Sequence, residues 1–207
     1  MLEHLLVALP AVFFVVDPPG ALPLFIAMTA RDDRAKQLSM ARRASIFGAL
    51  LLIFFAFFGA LLFKMFGVTL AAFRVAGGIL LMLTALDMLR AETSKTKTSE
   101  VEKAEGEQKE DIAIVPLAMP VLSGPGSIAA VMVLMAEQDL YPRGLAVVIA
   151  IVVTFIATYF VLAGATRLTR FLGQTGIAVT QRIFGLLLAA LACQFIFDGA
   201  RALWAGK

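Results

Sequence analysis

Long apolar blocks separated by short polar stretches dominate the chain. The blocks cover roughly 5–29, 44–63, 70–89, 112–136, 144–165 and 183–203. Each is about twenty residues or more, the length that crosses ~30 Å of hydrocarbon as a helix. Apolar residues wrap all round these segments rather than forming one stripe, as on helices that face both lipid and one another. The strict alternation of a membrane β-barrel is absent. The pattern predicts an all-α polytopic membrane protein with six transmembrane segments.

One hydrophilic segment is long. Residues 91–111, "AETSKTKTSEVEKAEGEQKED", carry many Glu, Lys, Ser and Thr and no aromatic residue. They read as a solvated, largely disordered linker, with a surface helix over 99–110 as the competing reading. The linker divides the chain into a first three-span unit, 1–90, and a second, 112–207. Sliding the second over the first by 106 positions lays Pro116 on Pro10, Pro125 on Pro19, Gly126 on Gly20, Gly173 on Gly67 and Thr175 on Thr69. After two extra residues, Arg182 falls on Arg74 and Gly185 on Gly77. Matched Pro, Gly and Arg are costlier coincidences than matched Leu. Three crossings reverse the chain's direction through a bilayer, so two such units form an inverted repeat, a common transporter plan.

Inside the first block lies "VVDPPGALP", residues 15–23. Proline removes a backbone donor and clashes with the preceding turn, and the residue before it is pushed from helical geometry. The stretch predicts a helix ending near Val16 and another starting near Pro18, with Asp17 as N-cap and Pro18 at the first helical position. "LSGPGS" in the fourth block repeats the device, with Ser123 where Asp17 sits and Ser127 just beyond. The first and fourth spans are therefore expected to be discontinuous, each piece about 11–13 residues, or roughly 17–20 Å. Unpaired backbone groups in hydrocarbon cost several kcal/mol each, so such breaks need a protein-lined or polar cavity. Two breaks meeting near the midplane offer N–H groups at helix N-termini for a carboxylate. Carbonyls and Asp17 suit an ammonium group, which together fit a small zwitterion.

Asp17, Pro18, Pro19, Gly20, Ser123, Gly124, Pro125, Gly126 and Ser127 are thus the expected substrate-binding lining, with Gln194 next. Each has a plainer reading. Single prolines such as Pro10 and Pro116 often serve packing alone. Asp17 can simply cap, although an ionisable residue at this depth is a functional candidate. Gln194 can reach the cavity or bridge helices. Asp87 and Asp198 fall near span ends, where solvated or capping roles are expected. Arg74 and Arg182 open equivalent spans and can snorkel. Gly77, Gly78 and Gly185 suit close helix packing, and the phenylalanines are taken as lipid-facing or core bulk.

Composition adds limits. The 207 residues are 60% apolar, and mean hydropathy is +0.90. The net charge of +3 gives no reason to expect a nucleic-acid partner. Cys193 and His4 are single, so no internal disulfide, cysteine metal site or histidine-based catalysis is expected. An aspartyl pair of Asp17 and Asp87 is the one enzyme alternative, and their expected depths differ. No enzyme activity, cofactor or metal is expected. The first apolar block reads as a span rather than a cleaved signal. Lys and Arg gather at Arg31, Arg34, Lys36, Arg42 and Arg43, along the linker, and at Arg167, Arg170 and Arg182. The opposite side holds Lys64, Arg143, Arg201 and Lys207, with Arg74 at its edge. The positive-inside rule then puts both termini outside and the linker in the cytoplasm, for a protein of the cytoplasmic (inner) membrane.

"FFVVDPPGALPLFIAMT", "FRVAGGILLMLTALDML", "VPLAMPVLSGPGSIAAVMVL" and "RIFGLLLAALACQFIFDG" together resemble the MarC family, also called the small neutral amino acid transporter family. The resemblance spans nearly all of the chain except the linker. It implies six spans, discontinuous first and fourth segments around the substrate, and transport of small neutral amino acids such as glycine and alanine. It also implies coupling to an ion gradient, with H+ or Na+ as the partner ion. The departure is "DPPG", where the family pattern is the less proline-rich DP-x-G or NP-x-G. A second proline stiffens the break, and substrate preference can differ. A channel or exporter for another small solute is the alternative. Membrane lipids are expected partners, and the oligomeric state stays open, a homo-oligomer included.

Overall fold

The computed structural model describes residues 2–30, 32–90, 113–136 and 144–205. The 91–111 linker and its alternative surface helix lie outside the described residues, as do Arg31, Arg143 and Lys207 of the charge argument. The described elements are all helices, in the order α1 (Leu2–Val16), α2 (Leu22–Met28), α3 (Arg34–Phe66), α4 (Leu70–Leu89), α5 (Ala113–Leu122), α6 (Pro125–Ala136), α7 (Leu145–Ala163) and α8 (Ala165–Trp204). Among the described residues, four helices are long and apolar enough to cross a membrane: α3, α4, α7 and the Thr175–Trp204 part of α8. The shorter apolar helices α1 and α6 belong to the regions where interruptions were expected.

Local chemistry explains most boundaries. Asp33 opens α3 by accepting from the Lys36 N–H at 2.7 Å, and Thr69 opens α4 by accepting from the Ala72 N–H at 3.1 Å. Such side chains satisfy donors that a first turn leaves orphaned. Gly67 closes α3 at φ 65°, in the left-handed region, where glycine carries no Cβ penalty.

Hydropathy underestimates two elements. α3 starts ten residues before the expected span at 44, because Arg34–Arg43 holds good helix formers such as Ala, Lys, Gln and Arg. The polar stretch expected between the fifth and sixth spans is also helical, as the first part of α8. Only Gly173, at φ 65° and ψ 178°, breaks the helical dihedrals there. Its counterpart under the 106-position shift, Gly67, has the same φ but a ψ of 22°, so the two conformations differ.

α5 is the irregular piece. Val115 (φ −126°, ψ 123°) and Met119 (φ −133°, ψ 127°) are extended within it. Each precedes a proline, and the proline ring excludes its predecessor from the helical basin. The chain recovers through wide hydrogen bonding, as in Ser123 N–H to Ala118 O at 2.9 Å. The interrupted pieces are therefore unequal, with 15 and 7 residues in α1 and α2, and 10 and 12 in α5 and α6. The even 11–13 expected from sequence does not hold.

Helices from the two halves of the chain pack mainly on each other. α4 lies against α8 and α6, α1 against α7 and α6, and α3 against α7, α5 and α6. The α4–α8 contact is backbone-close. A Cβ on Gly78 would stand 2.9 Å from Ala192 O, and one on Gly185 3.0 Å from Ala85 O. This is the close packing expected at those glycines. The main buried core joins α1, α2, α3, α5, α6 and α7, and includes Val12, Leu22, Phe25, Leu52, Leu117 and Ile151. A second cluster of Val15, Leu81, Ala130 and Leu188 joins α1 and α6 to the α4–α8 pair. Phe54, Phe57, Phe58 and Phe160 face outward.

Candidate binding site at the two interruptions

The first interruption is a turn built around Asp17. Its φ is 55°, a left-handed value that Asp tolerates better than most L-residues. The side chain is buried, and Oδ1 accepts from the Gly20 N–H at 3.0 Å. A Cβ on Gly20 would stand 1.9 Å from Asp17 Oδ2, so only glycine fits beside the carboxylate. The Leu22 N–H reaches Pro19 O at 3.2 Å and ends the turn.

This corrects the sequence expectation. α1 does end at Val16, but α2 begins at Leu22 rather than at Pro18, with Ala21 in the capping position and no side-chain cap. The reason lies in the double proline. Pro18 itself precedes a proline, and that excludes it from helical geometry. Asp17 caps a turn, not a helix.

The second interruption is shorter. Pro125 is the first residue of α6, and the carbonyl of Gly124 accepts from Ile128 N–H at 2.9 Å. Ser123 does not act like Asp17. It is fully buried, and its hydroxyl donates to Gly48 O on α3 at 3.0 Å. A Cβ on Gly48 would stand 3.0 Å from Ser123 Oγ and 2.4 Å from the Phe155 ring.

The two interruptions meet through Ser127. Its buried hydroxyl lies 3.1 Å from Val15 O and 3.2 Å from Leu122 O. Proline explains the need at Val15: the donor four residues on would be Pro19, which has no N–H. The last turn of α1 therefore leaves a bare carbonyl, and a residue 112 positions away answers it. Beside this junction, Val15, Leu81, Thr84 and Gly124–Ser127 line a crevice of about 10 Å³, room for roughly one water.

The structure thus gathers Gly124, Pro125, Gly126 and Ser127 around one crevice, with Val15 of the first interruption in the wall. Asp17 and Ser123 are buried but do not line it, and Pro18, Pro19 and Gly20 form the turn. Gln194 stands elsewhere. It lines a separate cavity of about 440 Å³ between α1, α4, α6 and α8, together with Arg74 and Asp198. The roles expected for those two, snorkelling or pairing with linker carbonyls for Arg74 and solvation or capping for Asp198, leave out this shared cavity.

Three participants were missed by the sequence reading. Gly48 and Val15 act through backbone carbonyls, which leave no side-chain signature. Thr84 lines the crevice while its own hydroxyl donates to Leu80 O at 3.1 Å. Thr154, which the 106-position shift lays on Gly48, is fully buried and its hydroxyl has no hydrogen-bond partner among the described residues, but it lies on α7 outside the crevice lining.

A model of the MarC family of integral membrane proteins matches residues 2–204. The chain belongs to the MarC family. A UPF0056 membrane protein of Methanocaldococcus jannaschii is 38% identical over 97% of both chains. YhcE of Escherichia coli, also named a UPF0056 membrane protein, is 34% identical over 94% of this chain and 90% of its own. YvbG of Bacillus subtilis, named likewise, is 33% identical over 94% and 92%. No solved structure matches. This MarC protein is therefore an integral membrane protein with bacterial and archaeal relatives, as its resemblance and apolar helices implied.

The Ser127 junction gives a direct test of the geometry. Ser127→Ala leaves the Val15 and Leu122 carbonyls without this donor and should destabilise the protein by about 1–2 kcal/mol. Thermal unfolding in detergent would read the change. Thr180→Ala, which removes a hydroxyl bonded only within its own helix to Gly176 O, should leave the melting temperature nearly unmoved. Equal melting of the two variants would remove the junction's claim to hold the interruptions together.

Proposed function

We propose that this MarC protein is a secondary transporter of small neutral amino acids, glycine- or alanine-like, working by alternating access and driven by an H+ or Na+ gradient. The observation that carries the reading is the Ser127 hydrogen bond to Val15 O, which ties both interruptions to one buried crevice. The N-terminus of α6 borders that crevice and offers peptide N–H groups to a carboxylate. The Val15 and Leu122 carbonyls, which share the single Ser127 hydroxyl proton, and Asp17, close by in the chain, suit an ammonium group. Small walls at Gly124 and Gly126 favour a small side chain.

The proposal includes six spans arranged as two inverted three-span repeats, with α1–α2 and α5–α6 as discontinuous first and fourth spans. Support comes from the paired interruptions. The exchange of partners between halves adds to it: α1 packs on α7 as α5 packs on α3. We place both termini outside the cytoplasmic membrane and the 91–111 linker inside. The Arg34 guanidinium, which donates to Ala163 O, supports one shared side for the start of α3 and the end of α7. A crevice of one-water size fits a carrier closed to both sides better than an open pore.

Counterflow in proteoliposomes tests the function. Labelled glycine should enter vesicles preloaded with unlabelled glycine or alanine, saturate with concentration, and accumulate when an H+ or Na+ gradient is imposed. Failure of both amino acids to exchange or compete, in protein shown to be folded, would sink the substrate assignment. A flux that does not saturate would favour the channel alternative.

A further inference from the structure

A groove on the outer surface between α3 and α7 stands apart from the interruptions. It measures about 400 Å³, and its walls are almost wholly apolar, with Ala49, Val152 and Ile156 among them. Polar groups gather at one end, where Arg42, Ser45 and Tyr159 lie. The helices run antiparallel there, since Arg34 near the start of α3 bonds the carbonyl of Ala163 at the end of α7. The polar end is therefore the end nearest that basic opening turn. From Arg42 to Leu50 the groove follows α3 for about 12 Å, most of the hydrocarbon depth of one leaflet.

Two observations say what such a groove would take. Arg42 is exposed, and no ion pair engages it among the described residues. Ser45 is nine-tenths buried and lines the groove, yet its hydroxyl has no hydrogen-bond partner among the described residues. A buried hydroxyl without a partner is disfavoured. We infer that the α3–α7 groove is a binding site for an anionic phospholipid. One acyl chain lies along Ala49, Val152 and Ile156, the phosphate meets the Arg42 guanidinium, and an ester or headgroup oxygen accepts from Ser45. A guanidinium matches phosphate in charge and in its forked donor geometry. The inference does not rest on the transport reading.

Native mass spectrometry of the purified full-length protein tests it. The probes are phosphatidylglycerol and phosphatidylcholine with the same acyl chains. Phosphatidylglycerol should be retained as one tight adduct per chain, in preference to phosphatidylcholine. Arg42→Gln should weaken that adduct by about five- to tenfold and abolish the preference. Ala49→Leu, which narrows the apolar wall, should weaken both lipids and leave the preference in place. Equal retention of the two lipids by the unaltered protein would overturn the site. So would an unchanged adduct in Arg42→Gln, a matching adduct with glycerol phosphate lacking acyl chains, or a dimer whose formation excludes the lipid. Melting temperature with added phosphatidylglycerol gives a second reading, because a ligand of the folded state raises it. A rise that persists undiminished in Arg42→Gln would also overturn the site.

Discussion

Asp17→Asn is expected to fold much as the unaltered protein does and to lose gradient-driven accumulation. The asparagine carbonyl can accept from the Gly20 N–H as Oδ1 now does at 3.0 Å, and Asn tolerates the φ of 55° found there. The charge is removed, and the second carboxylate oxygen becomes an amide NH2. If the carboxylate engages the ammonium of the substrate or the coupling ion, losing that charge-assisted contact removes about 1.5–3 kcal/mol, roughly 10–100-fold in transport. Asp17→Ala should differ in kind. It loses the acceptor, about 1 kcal/mol for a cap of this type, and puts an ordinary L-residue in the left-handed region for about 1–2 kcal/mol more. Both transport and thermal stability should therefore fall. Glycine uptake with and without an ion gradient, set beside melting temperatures for the three proteins, separates the roles. Asn kinetics equal to those of the unaltered protein, with the same gradient dependence, would leave Asp17 as a turn-forming residue alone.

The interruptions were legible because proline and glycine act locally. "DPPG" and "SGPG" must disturb a helix wherever the chain lies, so their positions could be read without knowing the packing. What Asp17 does within its turn was less legible, since the second proline moved the start of α2 from Pro18 to Leu22. Helix extent was poorly legible for α3 and α8. Hydropathy marks where a helix meets lipid, whereas Arg34–Arg43 and Thr166–Arg182 are polar without resisting helix formation. The crevice itself was half legible. Ser127 could be proposed from its place beside the break, but its acceptor is a carbonyl bared by Pro19, and only packing decides which hydroxyl reaches it. Gln194 shows the converse. Its polarity in an apolar block was plain, and the packing of α8 against α1 and α4 turns it toward Arg74 and Asp198 instead.

The largest effect on folding should follow from separating the halves. Expressed alone, residues 1–90 and residues 91–207 should each fail to accumulate as a folded species, and the two expressed together should recover a complex that melts cooperatively. The reason is where the contacts run. Among the described residues, α1 barely touches α3 or α4, its own half's long helices, and packs instead on α7 and α6. α4 has its most extensive contact with α8, where Gly78 and Gly185 bring the helices to backbone contact. The main core draws on both halves at once, with Val12, Leu52, Leu117 and Ile151 in one cluster. A half on its own keeps its apolar helices, which lipid can solvate, but loses the partners of its interruptions. The Val15 carbonyl loses Ser127, and the Ser123 hydroxyl loses Gly48 O. Unpaired polar groups in hydrocarbon cost several kcal/mol each, a large share of the about 5–15 kcal/mol that typically separates folded from unfolded protein. Copurification of tagged halves, with a protease resistance assay on each alone, reads the outcome. A single half that resists protease and melts at the temperature of the whole chain would show that each half is self-sufficient. The interruptions would then have to be satisfied within their own half, and the junction at Ser127 would lose its structural purpose.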